Sequence, residues 1–326
     1  MNQNFIDFMN GFRGEKIAVA VSGGVDSVCL LHWLVEFGAD IVCLHVNHGL
    51  RPAAQTEEEY VRNLCAELAV PCHVFRWSGD KPTSGIEAAA RDARYKMMTD
   101  FCRDNGIGFI ALAHQADDQI ETFLMNLARG SGLGGLSAMR AVSMRDGVRL
   151  LRPLLGTHRA ELVEYVNAHN IKYFDDEMNE DAKYTRVRIR QNRHLMNDKL
   201  GISDARILLA IENLGRIRDR MDADVSAYAD AVMQNGRAMF SDSFLFDLAP
   251  DIRLQLLGTL IQRIGGDEYR PRLNSLKSAV KNLAQERCKF TLGHCTIRRL
   301  GARILIVPEG AKVSFRTRHE RQKKNI

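Results

Sequence analysis

The stretch KIAVAVSGGVDSVCLL, residues 16–31, decides the fold of this chain. Its opening residues are mostly apolar and β-branched, which predicts a parallel strand that is covered on both faces. Val28 and Leu31 then recur at helical spacing, and Asp26 stands where a helix would begin. Paired glycines between the strand and the helix leave backbone N–H groups unshielded at the positive end of the helix. The loop is therefore predicted to bind phosphate.

The side chains around the paired glycines refine this prediction. Hydroxyl groups flank the glycines on both sides, and a carboxylate beside bound phosphates is expected if Mg²⁺ lies between them, which makes Asp26 a candidate ligand. The lysine of the Walker pattern is absent, and a plain glycine-rich turn is the alternative interpretation. The motif resembles the S-G-G-x-D-S loop of the ATP pyrophosphatases, which cleave ATP between its α and β phosphates. By this resemblance the ATP-binding residues are Ser22, Gly23, Gly24, Val25, Asp26 and Ser27.

Length and composition indicate an ordinary globular chain with an uneven distribution of charge. Its 326 residues predict about two domains, and 45% of them are hydrophobic and 26% charged. The net charge is +5, but basic residues crowd residues 186–193 and 312–324. Such clusters can hold a nucleic-acid backbone, and a solvated basic tail explains the second cluster equally well.

Cysteine usage and hydropathy bear on cofactors and location. The seven cysteines include no C-x-x-C pair, so we interpret them as reduced, structural residues that form neither a zinc nor an iron–sulfur site. The first residues lack the features of a signal peptide, and no apolar run is long enough to span a bilayer. A cytoplasmic protein without a membrane partner is therefore expected.

Further strands and helices alternate along the first half of the chain. Strands are predicted at residues 41–46, 73–76 and 109–113, each separated from the next by a helical stretch. Strand and helix alternation requires right-handed crossovers, so we predict an α/β domain with a doubly wound parallel sheet. Ligands of such sheets bind beyond the carboxyl ends of the strands, where the glycine loop also lies.

Changes in sequence character predict three regions. Residues 1–201 are expected to form the catalytic domain, residues 202–235 a helical linker, and residues 236–326 a small α+β domain that binds tRNA and carries the basic tail. In the last region we predict a helix at 273–284 and strands at 289–292, 295–297 and 303–307, with a hairpin at Gly301.

Three acidic residues follow the fourth predicted strand. Asp117, Asp118 and Glu121 lie within one and a half turns of a helix, where like charges destabilise an exposed helix by roughly a few tenths of a kcal/mol. Mg²⁺ or a substrate ammonium group would offset this repulsion. The alternative interpretation is a helix N-terminus that tolerates acids because of its dipole.

Other polar residues lie near the predicted strand ends or on the neighbouring helices. His114 is a candidate for contact with a phosphate or a reacting oxygen, and Arg94 for contact with a phosphate or base. His45 and His48 have the spacing of metal ligands, but no third ligand is evident, so a zinc site is not predicted. Residues 130–135 match G-x-G-x-x-G but follow a helix, so a flexible loop that ends the helix is predicted there instead of a dinucleotide site.

Several of these motifs occur in the order found in one family. The motifs are residues 22–27, His45 to Arg51, Glu87 with Arg91 and Arg94, residues 114–122 and residues 129–136. Together they resemble the tRNA(Ile)-lysidine synthetases, and the likeness covers the first two hundred residues. The resemblance implies a PP-loop ligase that uses ATP and Mg²⁺ to attach free L-lysine to the wobble cytidine of an isoleucine tRNA with a CAU anticodon. Pyrophosphate and AMP would be released through an adenylated cytidine.

The resemblance also implies roles for individual residues. Asp26 would help to bind Mg²⁺, and Asp118 and Glu121 would recognise the lysine ammonium group or a metal. His114, Arg94 and Arg186 would line the site of the adenylate and the cytidine. Residues 176–179 and 186–190 depart from the family pattern, although Arg186 keeps its usual spacing to a second arginine.

Two alternatives remain at this point. A tRNA thiolase would use the same adenylation step with sulfur in place of lysine, and it would require reactive cysteines. A nucleotide-binding module that senses ATP without turnover belongs to a different class, and it would leave the three acidic residues unexplained.

Overall fold

The computed structural model describes residues 1–49, 54–77, 85–174, 185–267 and 269–311, except for the side chain of Glu87. Contacts divide the chain into two compact units, residues 1–215 and 216–326. Parts of the sequence-based predictions lie outside the described residues: the loop residues 50–52, the divergent residues 176–179 and the basic tail from 312 onward.

The first unit alternates strands and helices as predicted. Its elements are α1 (Gln3–Asn10), β1 (Lys16–Ala20), α2 (Val25–Phe37), β2 (Asp40–Asn47), α3 (Ala54–Glu67), β3 (Cys72–Arg76), α4 (Ile86–Asp104), β4 (Phe109–Ala111), α5 (Ala116–Ala128), α6 (Leu133–Leu136), β5 (Val142–Arg145), β6 (Val148–Leu151), α7 (Arg159–Ala168) and α8 (Thr185–Leu200). Helix α9 (Asp204–Val232) begins in this unit and confirms the helix expected at 202–235.

The six strands of this unit form one sheet in the order β3-β2-β1-β4-β6-β5. The first five strands pair in parallel, and β5 pairs with β6 in antiparallel fashion. The predicted parallel sheet is therefore confirmed in its first five strands, and the antiparallel edge strand β5 adds to it. Asp146 and Gly147 join the two strands with φ values of 48° and 81°, the left-handed conformations that a tight two-residue hairpin turn requires.

Alternate residues of the central strand enter two separate cores. Ile17 and Val19 pack with α1, α2, α3 and α7 on one face of the sheet, whereas Ala18 packs with α4 on the other face. A strand that is buried on both faces needs apolar residues at every position, which explains the continuous apolar run of β1. The doubly wound arrangement is therefore confirmed.

One predicted loop contains a helix. Gly130, with φ of +66°, ends α5 at the position where the glycine-rich stretch begins, as expected. Residues 133–136, which overlap this stretch, nevertheless form the single-turn helix α6, and the Gly135 and Leu136 amides donate to the Gly132 carbonyl. Ser131 leaves no room for a side chain at position 135, because a Cβ there would lie 2.6 Å from the Ser131 Cβ atom.

The second unit contains the end of α9 and a second sheet. Its other elements are β7 (Met233–Gln234), β8 (Arg237–Ser241), α10 (Asp242–Phe246), α11 (Pro250–Gly265), α12 (Leu273–Leu283), β9 (Arg287–Leu292), β10 (Cys295–Leu300) and β11 (Arg303–Pro308). The strands pair in antiparallel fashion in the order β7-β8-β11-β10-β9, and α11 and α12 pack on one face. The predicted helix, the last three strands and the hairpin at Gly301 are confirmed. The sequence did not predict strands β7 and β8 or helices α10 and α11, which precede the predicted helix α12. No helix of the described ranges has both the length and the apolar composition to cross a membrane.

Candidate functional site

The site lies where the strand order of the first sheet reverses direction. From β1 the chain moves to β2 on one side, and it later returns to place β4 on the other side of β1. The loops that leave β1 and β4 therefore diverge and open a crevice between them. Open α/β sheets bind their ligands at such a switch point.

The loop after β1 has the geometry of an anion site. Gly23 has φ of +99°, which a residue with a side chain rarely adopts, and Gly24 precedes the first turn of α2 without a capping side chain. The Ser27 hydroxyl donates to the Gly24 carbonyl at 2.9 Å and accepts from the Ser22 amide at 3.2 Å. Because no side chain caps the helix start, its N–H groups and its dipole are directed at the crevice.

A cavity of about 460 Å³ occupies the crevice. It is lined by the glycine loop, by the ends of β2 and β4, by two residues of α4 and by single residues of α3 and α7. The described residues that line it are Ala20, Val21, Ser22, Gly24, Val25, Asp26, Ser27, Leu44, His45, Val46, His48, Glu57, Arg94, Met98, Leu112, Ala113, His114, Arg159 and Phe174.

Among the predicted site residues, the cavity brings Ser22, Gly24, Val25, Asp26, Ser27, Arg94 and His114 together. The backbone of Gly23 shapes the loop, but this residue does not line the cavity wall. The remaining predicted residues, Asp118, Glu121 and Arg186, belong to a neighbouring cluster of charges.

Asp26 lies in an environment that disfavours its charged form. Its Oδ1 atom is buried and has no hydrogen-bond partner in the described structure, and Arg159 Nε lies 3.8 Å away, beyond hydrogen-bond distance. Burial raises the pKa of Asp26 to about 6, and the charge of Arg159 only partly counteracts this effect. A buried carboxylate oxygen without a partner is the type of donor that Mg²⁺ prefers, so this position fits a magnesium ion.

His114 and Arg94 are two further polar residues that line the cavity. Burial, reinforced by nearby arginines of which Arg152 has the largest effect, lowers the pKa of His114 to about 3. Its imidazole is therefore neutral at pH 7, and its Nδ1 atom is buried without a partner among the described groups. Burial also lowers the pKa of Arg94, whose Nε atom is likewise unpartnered in the described ranges. Both groups are available to a ligand.

Glu121 forms a buried ion-pair cluster with helix α8. Its side chain is fully buried, and its Oε1 atom accepts a hydrogen bond from Arg190 Nε at 2.7 Å. Arg186 Nε lies 3.1 Å from Oε2, and Arg186 Nη2 donates to the Thr122 hydroxyl at 3.2 Å. Burial raises the pKa of Glu121, and the hydrogen bond from Arg190 opposes that shift.

The two aspartates before Glu121 are also bound within the protein. Asp118 Oδ2 accepts a hydrogen bond from the backbone N–H of Gln115 at 3.1 Å and thereby caps α5. Asp117 Oδ1 pairs with Arg193, and its Oδ2 accepts from the Arg159 amide at 2.9 Å. The sequence predicted an external cation to offset the three acids, whereas the arginines of α8 offset Asp117 and Glu121. Among the six carboxylate oxygens of Asp117, Asp118 and Glu121, only Asp118 Oδ1 has no hydrogen bond to another described residue.

The sequence assigned no role in the site to His45, Arg159 or Phe174, which also line the cavity. His45 is buried, and its Nδ1 atom lies 2.8 Å from the Val21 carbonyl, so its ring faces the start of the glycine loop. Arg159 approaches from the start of α7, and the Phe174 amide donates to the Gly23 carbonyl at 3.0 Å. The position of His45 at a strand end was the one signal in the sequence, because Arg159 and Phe174 come from distant segments.

Comparison with known proteins agrees with this geometry. Residues 1–197 match the family model of the PP-loop domain. The chain is 35% identical over 327 residues to a tRNA(Ile)-lysidine synthase of Wolbachia sp. subsp. Brugia malayi (strain TRS), which covers 95% of this chain and 74% of the relative. It is also 35% identical over 330 residues to a tRNA(Ile)-lysidine synthase of Rhodopseudomonas palustris (strain ATCC BAA-98 / CGA009), with 92% of each chain covered.

A solved structure shares the fold at lower identity. The U34-tRNA thiolase NcsA from Methanococcus maripaludis, solved with its [4Fe-4S] cluster, superimposes with a TM-score of 0.56 and 16% identity, over 66% of this chain and 77% of that one. At this identity the likeness concerns the fold alone. The sequence relatives and the matching PP-loop domain show that the chain belongs to the tRNA(Ile)-lysidine synthase family.

Proposed function

We propose that this protein uses ATP to join free L-lysine to C2 of the wobble cytidine in an isoleucine tRNA with a CAU anticodon. The relatives with which it shares 35% identity carry the name tRNA(Ile)-lysidine synthase, and this supports the choice of substrate. The observation that carries the chemistry is the uncapped start of α2 beside Asp26, whose buried Oδ1 atom has no hydrogen bond in the described structure, because this pair suits a polyphosphate and its cation.

The reaction would proceed in two displacements. Cytosine O2 attacks the α-phosphorus of ATP, so that an O–P bond forms, the bond to the β-phosphate breaks and pyrophosphate leaves. The lysine amine then attacks C2, a C–N bond forms, the C2–O bond breaks and AMP leaves, while the amine loses a proton to water. Adenylation is required because the cytosine oxygen alone is a poor leaving group.

The glycine loop would hold the phosphates that depart. Its amide groups and the dipole of α2 stabilise the negative charge that develops on pyrophosphate. Asp26, assisted by phosphate oxygens, would hold Mg²⁺, and the ion when bound offsets phosphate charge. The carboxylate of Asp26 is then ionised, because a cation replaces the water that it lost on burial.

His114 and Arg94 would contact the reacting groups. The neutral imidazole of His114 can hydrogen-bond the cytosine or the adenylate without adding charge. The buried guanidinium of Arg94 can bind the α-phosphate that AMP carries away. Arg186 would extend this positive surface, and Glu121 would hold its guanidinium in place.

Asp118 would recognise the ammonium group of lysine. One of its oxygens caps α5, and the other has no hydrogen bond within the described structure. We assign no lysine contact to Glu121, because both of its oxygens are occupied by arginines. Asp118 and Glu121, for which the sequence predicted the same role, therefore receive different roles here.

The rest of the chain would bind the tRNA. We propose that residues 1–201 act as the catalytic domain, residues 202–235 as the linker, and residues 236–326 with the basic tail as the tRNA-binding part. A cytoplasmic location follows from the proposed substrates, since ATP, lysine and tRNA meet there.

The experiment is a turnover assay with the purified protein, ATP, Mg²⁺, L-lysine and the isoleucine tRNA transcript. We expect AMP and pyrophosphate in equal amounts, together with incorporation of labelled lysine into the tRNA. The methionine tRNA with the same anticodon serves as the control and should remain unlabelled. Release of ADP, or turnover that is independent of lysine, would contradict the proposal.

A tRNA thiolase is not favoured by the cavity. Such an enzyme needs a reactive cysteine at the nucleotide, and no cysteine occurs among the described residues that line the cavity. A sensor that binds ATP without turnover would release neither AMP nor pyrophosphate in the same assay.

A further inference from the structure

Three cysteines from three different elements converge beside the sheet. Cys43 lies on β2, Cys65 on α3 and Cys72 on β3, and their sulfur atoms lie within 4.8 Å of one another. All three are free thiols, and none of them lines the nucleotide cavity. Cys43 and Cys65 are buried, whereas Cys72 is partly exposed.

Backbone hydrogen bonds fix the relative positions of these thiols. Cys43 and Cys72 are direct partners in the pairing of β2 with β3, and the Cys43 amide donates to the Pro71 carbonyl at 2.8 Å. The Cys65 carbonyl accepts from the Val70 amide at 2.8 Å, which anchors the end of α3 to the same turn. The three sulfur atoms are therefore held together by rigid main chain, and a ligand would not have to organise them.

We propose that Cys43, Cys65 and Cys72 form a binding site for a soft, thiophilic metal ion, with Cu⁺ as the ion that suits it best. Metal–sulfur bonds of about 2.3 Å in a planar three-ligand site place the sulfur atoms about 4 Å apart. The distances between the sulfur atoms, which are at most 4.8 Å, would have to shorten by less than about 1 Å to reach this arrangement. Thiolates select soft ions such as Cu⁺ over hard ions such as Mg²⁺.

The number of ligands distinguishes Cu⁺ from Zn²⁺. A structural zinc site is almost always completed by four protein ligands, whereas the group in the described ranges contains three. His45 comes two residues after Cys43 on the same strand, but its Nδ1 atom is engaged with the Val21 carbonyl. A three-sulfur site therefore favours the ion that accepts the lower coordination number.

The surroundings supply an entry path and compensating charge. Strand β3 is an edge strand, and the partly exposed Cys72 offers a first sulfur ligand to an arriving ion. The positive charge of Arg62 acts on Cys72 and partly offsets the negative charge of bound thiolates. Binding would release the thiol protons to water as thiolate–metal bonds form.

The test is a Cu⁺ titration of the reduced full chain in oxygen-free buffer, in competition with a chromogenic chelator. We expect about one Cu⁺ per chain at this site and a sulfur-to-metal charge-transfer band in the ultraviolet. Loss of outer-shell partners already weakens metal sites about 10–100-fold, so removal of a ligand in Cys72→Ser should weaken binding about 100-fold or more. Cys102→Ser is the matched control, since Cys102 is a buried thiol of the other core and should leave binding unchanged.

Thermal unfolding provides a second readout that is independent of activity. Cu⁺ should raise the Tm of the unaltered protein and of Cys102→Ser, but not that of Cys72→Ser, because only a ligand of the folded state stabilises it. Cys72 is partly exposed, so its substitution is compatible with folding, which circular dichroism checks. Equal Cu⁺ affinity in Cys72→Ser and Cys102→Ser, or no binding by the unaltered chain, would overturn the proposal and leave the three thiols as apolar packing.

Discussion

The carboxylates on the two sides of the crevice have opposite environments. On the side of the glycine loop, Asp26, His114 and Arg94 each have a buried polar atom without a partner in the described structure. On the side of α5 and α8, Arg186 Nε and Arg193 Nη1 are also buried without a hydrogen bond in the described ranges, but the carboxylates of Glu121 and Asp117 are saturated by arginines. Buried polar groups without partners destabilise a fold, so they are expected where a ligand completes them. This difference between the carboxylates supports the proposal that a ligand binds on the first side, whereas the second side holds the binding groups in position.

The largest expected effect is the loss of activity in Asp26→Asn. If this side is completed by a ligand, the substitution removes a magnesium ligand and leaves the loop amides intact. We expect kcat for pyrophosphate release to fall about 10²–10³-fold, the cost of losing one electrostatic group at a reacting phosphate. Asp104→Asn, at an exposed position of α4, is the matched control and should keep full activity. Equal activity of both variants would remove Asp26 from the phosphate site.

On the side of α5 and α8, a substitution of Glu121 should lower the stability of the fold. In Glu121→Gln the arginines Arg186 and Arg190 lose a fully buried counter-ion, so the free energy of unfolding should fall by about 2 kcal/mol. The estimate lies below the range for fully buried pairs because both arginines are partly exposed. Urea unfolding measures the change, and Glu164→Gln on the exposed face of α7 should stay within about 0.5 kcal/mol of the parent. A stabilised Glu121→Gln would show that this acid also awaits a ligand.

Asp26→Asn should change stability in the opposite direction. The pKa of Asp26 is raised from 3.8 to about 6, so the folded protein holds this proton more tightly than the unfolded chain and loses stability as the pH rises from about 4 to about 6. The full shift corresponds to about 3 kcal/mol. Because the side chain is 30% exposed, we expect the ligand-free variant to gain about 1–2 kcal/mol at pH 7.5 and nothing below pH 4. A gain that is independent of pH would contradict this origin.

The smallest effect separates the two oxygens of Asp118. Asparagine can still accept the hydrogen bond that caps α5, so Asp118→Asn should cost less than about 1 kcal/mol of stability. It removes the charge that would hold lysine, and the KM for lysine should rise about fivefold with the KM for ATP unchanged. If both KM values stay unchanged, Asp118 is a helix cap and nothing more.

Local sequence patterns predicted the geometry of the glycine loop better than that of the charged cluster between α5 and α8. The strand, the glycine turn and the start of α2 are contiguous, so residues 16–31 contain the whole of that geometry. The partner of Glu121 lies 69 positions along the chain, and nothing in a single sequence pairs them. The convergence of Cys43, Cys65 and Cys72 is likewise not evident from cysteine spacing, because the three residues come from different elements. The edge hairpin of β5 and β6 was missed because its strands have four residues each.

The most direct test of the account is a crystal structure of the protein with Mg²⁺ and an ATP analogue that resists cleavage between its α and β phosphates. We predict β- and γ-phosphate oxygens within about 3 Å of the amide nitrogens at the start of α2, with the metal bound to Asp26. Phosphates bound away from that loop, or a metal that does not contact Asp26, would contradict the central claim that these unpartnered groups are completed by the nucleotide.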